Sequence, residues 1–140
     1  MKMHYSLPLL AAIVGSLTGC STVSTTEADG RVTVRSRDEF ESYVESVFRM
    51  QNRVGNDLIT LSGSVDELPL VLQSAEENMI ERCHALNEIV VASAEGRAPG
   101  MAQKSALMKS IGSCDRAVHD LAALLQNNTQ ASAIEVGQHL

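Results

Sequence analysis

Apolar residues recur at a helical spacing in three stretches of the chain between residues 36 and 126. Within each stretch they lie three or four positions apart, which places their side chains on one face of an α-helix. Glycines interrupt the pattern at Gly63 and again at Gly96 and Gly100, and such short breaks join helices that pack against their neighbours. The sequence therefore predicts an all-α fold, either an antiparallel three-helix bundle or a long helical hairpin plus a third helix.

The ends of the three predicted helices carry recognisable signals. Ser36 is followed three residues later by Glu39, a capping box that predicts the start of the first helix. The second helix begins near Pro69, since proline suits a first helical turn, and the third ends near residue 126. The positions predicted to face the core are Phe40, Val44, Val47, Val54, Leu58 and Leu61 in the first helix, Leu72, Ala75, Met79, Cys83, Leu86 and Val90 in the second, and Leu107, Ile111, Cys114, Val118, Leu121 and Leu125 in the third.

Cys83 and Cys114 lie at nearly equal distances from the turn predicted between the second and third helices, because the midpoint of their numbers falls between residues 98 and 99. Both cysteines belong to the predicted apolar faces. An antiparallel hairpin brings such residues level and facing, as a disulfide requires. We therefore predict a disulfide between them. The same register places Arg82 level with Asp115, a weaker indication because exposed ion pairs contribute little.

Length and charge restrict the classes of function. A chain of 140 residues has room for one modest domain. Aromatic residues make up 3% of it and tryptophan is absent, so the core must be mainly aliphatic, as suits packed helices. The formal net charge is −6, whereas binding to phosphate backbones needs clustered Lys and Arg. We expect no nucleic-acid partner.

A short apolar run precedes the helical part and ends in the residues Leu17-Thr18-Gly19-Cys20. The run is too short for a transmembrane helix, which needs about 20 residues, and has the length of a secretory signal peptide. Residues 17–20 resemble the lipobox of bacterial lipoproteins at all four positions. The resemblance implies that residues 1–19 are a signal peptide and that the thiol of Cys20 carries lipid. An ordinary signal peptide, cleaved after a small residue, is the alternative.

The lipoprotein resemblance also implies a location. Two or three acyl chains on Cys20 make a membrane anchor effectively permanent. The acidic domain is not attracted to anionic lipids, so membrane attachment must come from the lipid on Cys20. Ser21 stands where lipoproteins retained at the inner membrane carry aspartate. We therefore expect a lipid-anchored protein of the outer membrane that faces the periplasm, a compartment in which paired cysteines oxidise.

Two segments flank the predicted helical domain, which spans residues 36–126. Residues 20–35 contain the lipidated Cys20 and are rich in serine and threonine, which indicates a flexible linker. Residues 31–35 alternate like a short strand, but a lone strand has no pairing partner. Residues 127–140 are polar, and we expect them to form a frayed C-terminal tail.

The sequence predicts no catalytic residue, no metal site and no cofactor. Glu81 and His84 have the spacing of half a di-iron motif, but the other half is missing. Asp115 and His119 share a helix face without a third partner or a phosphate-binding loop. Binding of a soft metal by both cysteines with Met79 and Met108 would need free thiols, which the predicted disulfide consumes. We expect that the chain is not an enzyme.

The apolar face of the first predicted helix is broader than a three-helix core needs. Phe48 and Ile59 lie at one flank of this face, furthest from its centre. They are either buried in the core or form a surface for a protein partner. The sequence thus indicates a non-catalytic interaction or accessory module of an envelope assembly. The alternatives are an inhibitor or immunity protein against a toxin or lytic enzyme and, less favoured, a metal-binding sensor.

Overall fold

The structure, a computed structural model, describes residues 21–137, with side-chain environments for residues 21–130. The described chain is mostly helical and carries a small two-stranded sheet. No helix within residues 21–137 combines the length and the apolar character needed to cross a bilayer. The predicted signal peptide and Cys20 lie outside the described residues. The elements in chain order are β1 (Thr22–Thr26), β2 (Val32–Ser36), α1 (Arg37–Ser62), α2 (Leu70–Arg82), α3 (His84–Ala94) and α4 (Met101–Gly137).

Residues 22–36 form an antiparallel β-hairpin and not the flexible linker expected from their serine and threonine content. Thr22 pairs with Ser36 and Thr26 pairs with Val32, so the two strands match along their whole length. The linker expectation is wrong because threonine and valine are β-branched residues that favour strands, and β1 supplies the missing partner of β2. Gly30 allows the connecting turn, since its φ of 84° lies in the left-handed region that glycine adopts without strain.

Helix α1 begins and ends where the sequence signals place it. The Ser36 hydroxyl accepts a hydrogen bond from the Glu39 amide at 3.3 Å, and the Glu39 carboxylate accepts one from the Ser36 amide at 2.7 Å. These bonds lower the pKa of the Glu39 carboxyl group, because they stabilise its ionised form. Gly63 caps the C-terminal end. The capping box predicted from residues 36–39 is therefore confirmed.

The second predicted helix is divided into α2 and α3 at Cys83. The backbone of Cys83 has φ −91° and ψ 5°, outside helical values, while helical segments continue directly on both sides. Pro69 stands at the start of α2, and Gly96, with φ 71°, follows α3. The sequence contains neither glycine nor proline near residue 83, so nothing in its pattern indicates the break.

Helix α4 extends through most of the segment expected to be a frayed tail. The polar run that begins at Gln126 has no proline, and its first glycine is Gly137, where the helix ends. Thr129 is also held by the helix, since its hydroxyl donates to the Leu125 carbonyl at 2.9 Å. Polarity alone does not stop a helix, because solvent-facing positions need only residues with adequate helix propensity. The expectation of a frayed tail is wrong as far as Gly137.

Helix α4 lies at the centre of the fold and contacts α1, α2, α3 and β1. All six residues of its predicted apolar face are buried, and the faces of α1 and α2–α3 are buried or partly buried against it. The hairpin also reaches the core because Thr25 is buried. The closest approach is at Gly112, where an added Cβ atom would lie 2.5 Å from the Thr26 carbonyl oxygen. A larger residue there would displace the hairpin.

Candidate functional site

An apolar groove of about 690 Å³ lies between the N-terminal half of α1, helix α3 and the beginning of α4. Phe40, Val44 and Phe48 follow one another at four-residue intervals, so they form a strip roughly 12 Å long on the α1 side. Apart from the exposed Met101, the apolar residues of the groove are buried or partly buried, and they make up most of its walls. They include Val23, Phe40, Val44, Phe48, Ile89, Val90, Leu107 and Met108.

The charged residues of this groove are all exposed. Arg37 and Glu41 are paired at 2.9 Å, and Glu45 accepts a hydrogen bond from Arg49 at 2.5 Å. Lys104 lies on the α4 side. The charges therefore form a rim that is already partly paired, while the interior is apolar. This arrangement favours an apolar ligand over an ionic one.

Ser21, the first residue that the structure describes, lines the groove. Its carbonyl oxygen accepts a hydrogen bond from the Arg37 amide at 3.1 Å, which fixes Ser21 beside the first residue of α1. Met101, the first residue of α4, also lines the groove and is 80% exposed. The groove thus lies at the end of the helical part where the chain arrives from residue 20.

A second feature, the hairpin–helix cluster, consists of Thr25, Glu27, Arg35, Tyr43 and Asp115. Arg35 donates hydrogen bonds to the Thr25 hydroxyl and, at 3.0 Å, to the Glu27 carboxylate. Its guanidinium carbon lies 4.2 Å from the centre of the Tyr43 ring, in cation–π geometry. The Tyr43 hydroxyl donates to the Asp115 carboxylate at 3.0 Å. These contacts connect the hairpin to α1 and α4.

The hairpin–helix cluster favours a structural role over acid–base chemistry. Burial raises the pKa of the Tyr43 hydroxyl well above its usual value, and the Asp115 carboxylate raises it further, while Arg35 opposes both effects. A phenol that keeps its proton acts as a hydrogen-bond donor and not as a base. His119 lies 3.4 Å from the other oxygen of Asp115, but its imidazole is exposed to water. Asp115 thus engages Tyr43 and His119, and not the Arg82 expected from the hairpin register.

Cys83 and Cys114 are joined by a disulfide, the pair that the position of the turn predicts. Both residues are fully buried, and their Cα atoms are 4.6 Å apart. When a backbone radius of about 2.3 Å is added to this Cα–Cα distance for each helix, the resulting distance between the helix axes is normal for packed helices. The bond therefore connects the break between α2 and α3 to the middle of α4 without requiring unusual packing.

The two residues predicted to form one flank of α1 have different environments. Phe48 is partly buried, packs against the core and lines the apolar groove. Ile59, three helical turns further along, is 69% exposed. Three more exposed apolar residues follow soon after it, one in the connection between α1 and α2 and two at the start of α2. We call Ile59, Val65, Leu70 and Val71 the distal apolar segment.

The other residues considered for chemistry are not gathered into one site. His84 is exposed and lies 3.4 Å from Glu88, one turn along the same helix. Met79 is buried in the core, whereas Met108 lines the apolar groove. Within the described part of the chain, no group of three or more His, Cys, Asp or Glu residues could hold a metal ion.

The chain matches no protein-family model, no curated protein and no solved structure. The lipobox residues lie outside the described part of the chain. The sequence pattern at residues 17–20, the apolar groove and the distal apolar segment are therefore the features from which a function can be inferred.

Proposed function

We propose that this chain is a lipoprotein that acts as a non-catalytic interaction module of an envelope assembly. Lipid on Cys20 holds it at the outer membrane, where it faces the periplasm. The four lipobox positions support the anchor. The observation that carries the functional part is the position of the distal apolar segment, at the opposite end of α1 from Ser21.

In this proposal residues 36–126 form a three-helix bundle in which α2 and α3 together are the middle member. Contacts of α2 and α3 with α4 support opposite chain directions, because Cys83 is bonded to Cys114 while Ile89 shares the groove with Leu107. Ile59 is 22 residues beyond Arg37, so it lies about 33 Å along α1 from the attachment end. A partner bound there is held clear of the membrane.

The distal apolar segment supports the proposal of a protein partner because its apolar side chains do not pack in the core of this chain. Leu70 is 77% exposed and Val71 is 56% exposed, although both belong to a helix whose opposite face packs on α4. Grouped exposed apolar residues often mark interaction surfaces. Phe48 has no part in this surface, since it lines the groove.

The test is crosslinking in intact cells with a photoreactive residue at position 65, a member of the distal apolar segment that neither double variant below alters, followed by identification of the crosslinked protein. Ile59→Glu combined with Leu70→Glu should abolish the crosslinked species and leave the melting temperature nearly unchanged, because both positions are exposed. Ile80→Glu combined with Val91→Glu is the matched control, since these residues are also exposed apolar positions on helices. Equal loss of the crosslinked species in both double variants would contradict a specific distal surface.

The melting temperature of Phe48→Glu shows whether residue 48 belongs to the core or to the exposed surface. Because Phe48 packs against the core, a charge there should lower the melting temperature, whereas Ile59→Glu alone should not. Ser21→Asp tests the proposed location, and fractionated membranes should show the protein moving toward the inner membrane. An unchanged distribution would contradict the proposed role of residue 21 in sorting.

A further inference from the structure

We propose that the apolar groove holds one acyl chain of the lipid on Cys20. This inference rests on the proposed function, because it requires lipid at that residue. Ser21 lines the groove and is fixed to the start of α1, and the next Cα atom toward the N-terminus is only about 3.8 Å away. An acyl chain attached at residue 20 therefore meets the groove as an intramolecular ligand, with a high effective concentration.

The chemistry of the groove suits an acyl chain better than a peptide. Its interior is formed by side chains such as Phe40, Val44 and Ile89, which offer no hydrogen-bond partner. A bound peptide would bring backbone N–H and C=O groups that must be paired when they leave water. An acyl chain has no such groups, so it can occupy this interior without leaving any polar group unpaired.

The shape of the site also fits a ligand that arrives from the membrane. The strip from Phe40 to Phe48 runs along α1 away from Ser21, so an elongated chain can lie along it. The exposed charges of Arg37 and Lys104 stand at the rim, where they stay in water. If three acyl chains are attached, one can enter the groove while the other two maintain a stable anchor. The occupied groove would hold the helical part in one orientation near the bilayer.

The experiment places a photoreactive residue at Ile89 or Met108 in the full-length protein, expressed and processed in cells and kept in its native membrane. After irradiation, the intact mass and the peptide masses show what has been linked. The expected product joins the modified position to the lipid on residue 20 of the same chain, with no added molecule. Two probe positions are used because Ile89 lies on α3 and Met108 on α4, so a folding defect caused by one substitution does not remove the test.

Ile80 provides the control position, since it is 55% exposed on α2 and does not line the groove. A probe there should give no link to the lipid of its own chain. If the mass shows lipid on residue 20 but neither groove probe reaches it, the inference is overturned while the proposed anchor stands. A product carrying an added phospholipid also overturns it, because the groove then takes a bilayer lipid. If residue 20 carries no lipid, the anchor itself fails.

Discussion

The hydroxyl group of Tyr43 donates a hydrogen bond to the carboxylate of Asp115 at 3.0 Å and joins α1 to α4. Arg35 covers the Tyr43 ring and donates hydrogen bonds to Thr25 and Glu27. Through Arg35, the bonded side chains of α1 and α4 are therefore also connected to the hairpin. A two-stranded hairpin is marginal by itself in water. Here the hairpin–helix cluster and the contact at Gly112 hold it against α4.

Replacing Tyr43 with phenylalanine should destabilise the protein without changing its fold. The change removes the donor to Asp115 and leaves the rest of the ring in place, so the free energy of unfolding should fall by about 1–2 kcal/mol. Denaturant unfolding measures it. Asp120→Asn is the control, since Asp120 is exposed on α4 and makes no hydrogen bond or ion pair within the described part of the chain. Equal stability of Tyr43→Phe and the wild type would show that the bond contributes nothing.

The Tyr43 hydroxyl should also make stability depend on pH in alkaline solution. Burial raises its pKa in the folded state above the ordinary value near 10, whereas the unfolded chain titrates at that value. The contribution of Tyr43 is therefore fully present below pH ~10 and is lost as the pH rises above it. If residues 1–19 are removed, Tyr43 is the only tyrosine left, and its ultraviolet absorbance at pH ~11 should show less phenolate in the folded protein than in the unfolded chain. Equal phenolate in the folded and unfolded protein would contradict the raised pKa.

Gly112→Ala should weaken the contact between the hairpin and α4. The added methyl group would lie 2.5 Å from the Thr26 carbonyl oxygen and 2.6 Å from the Glu27 Cα atom, and backbone atoms cannot move aside cheaply. We expect a loss of about 1–3 kcal/mol in the free energy of unfolding. Gly55→Ala is the matched control within α1, where no atom lies within 4 Å of the new Cβ, and it should stabilise by roughly 0.5–1 kcal/mol. Stabilisation by both changes would refute the close approach.

The Cys83–Cys114 bond should contribute substantially to stability. It closes a loop with a sequence separation of 31 residues. The chain-entropy account gives about 3–4 kcal/mol for such a loop. Cys83→Ser combined with Cys114→Ser should therefore give a helical protein that unfolds at lower denaturant concentration and no longer responds to reducing agent. Two free thiols in the oxidised wild-type protein, found by mass spectrometry, would contradict the bond.

The helix faces and the two ends of α1 could be predicted because they depend on local spacing and capping. The Ser36–Glu39 capping box and the buried face of α4 follow directly from residue positions along one helix. The disulfide could be predicted because the turn fixes which residues stand level. Each of these features depends on one element or on one short connection.

The hairpin, the groove and the hairpin–helix cluster depend on contacts between distant segments. Tyr43 and Asp115 are far apart in the chain, and no spacing rule relates them. The hairpin is supported by its close contact with Gly112. The need for glycine at this position can be recognised only when α4 and the turn after β1 are placed together. The break at Cys83 carries no glycine or proline signal. Local patterns therefore indicate the helices but not the surfaces formed where they meet.

The most direct test of the proposed anchor is the mass of the mature N-terminal peptide, measured on protein extracted from cell membranes. We predict that the mature chain begins at Cys20 and that this residue carries a diacylglyceryl group. Cys20→Ala should then remain unprocessed or leave the membrane fraction. A mature chain that begins elsewhere, or a Cys20 with a free thiol in membrane-bound protein, would contradict the lipoprotein account.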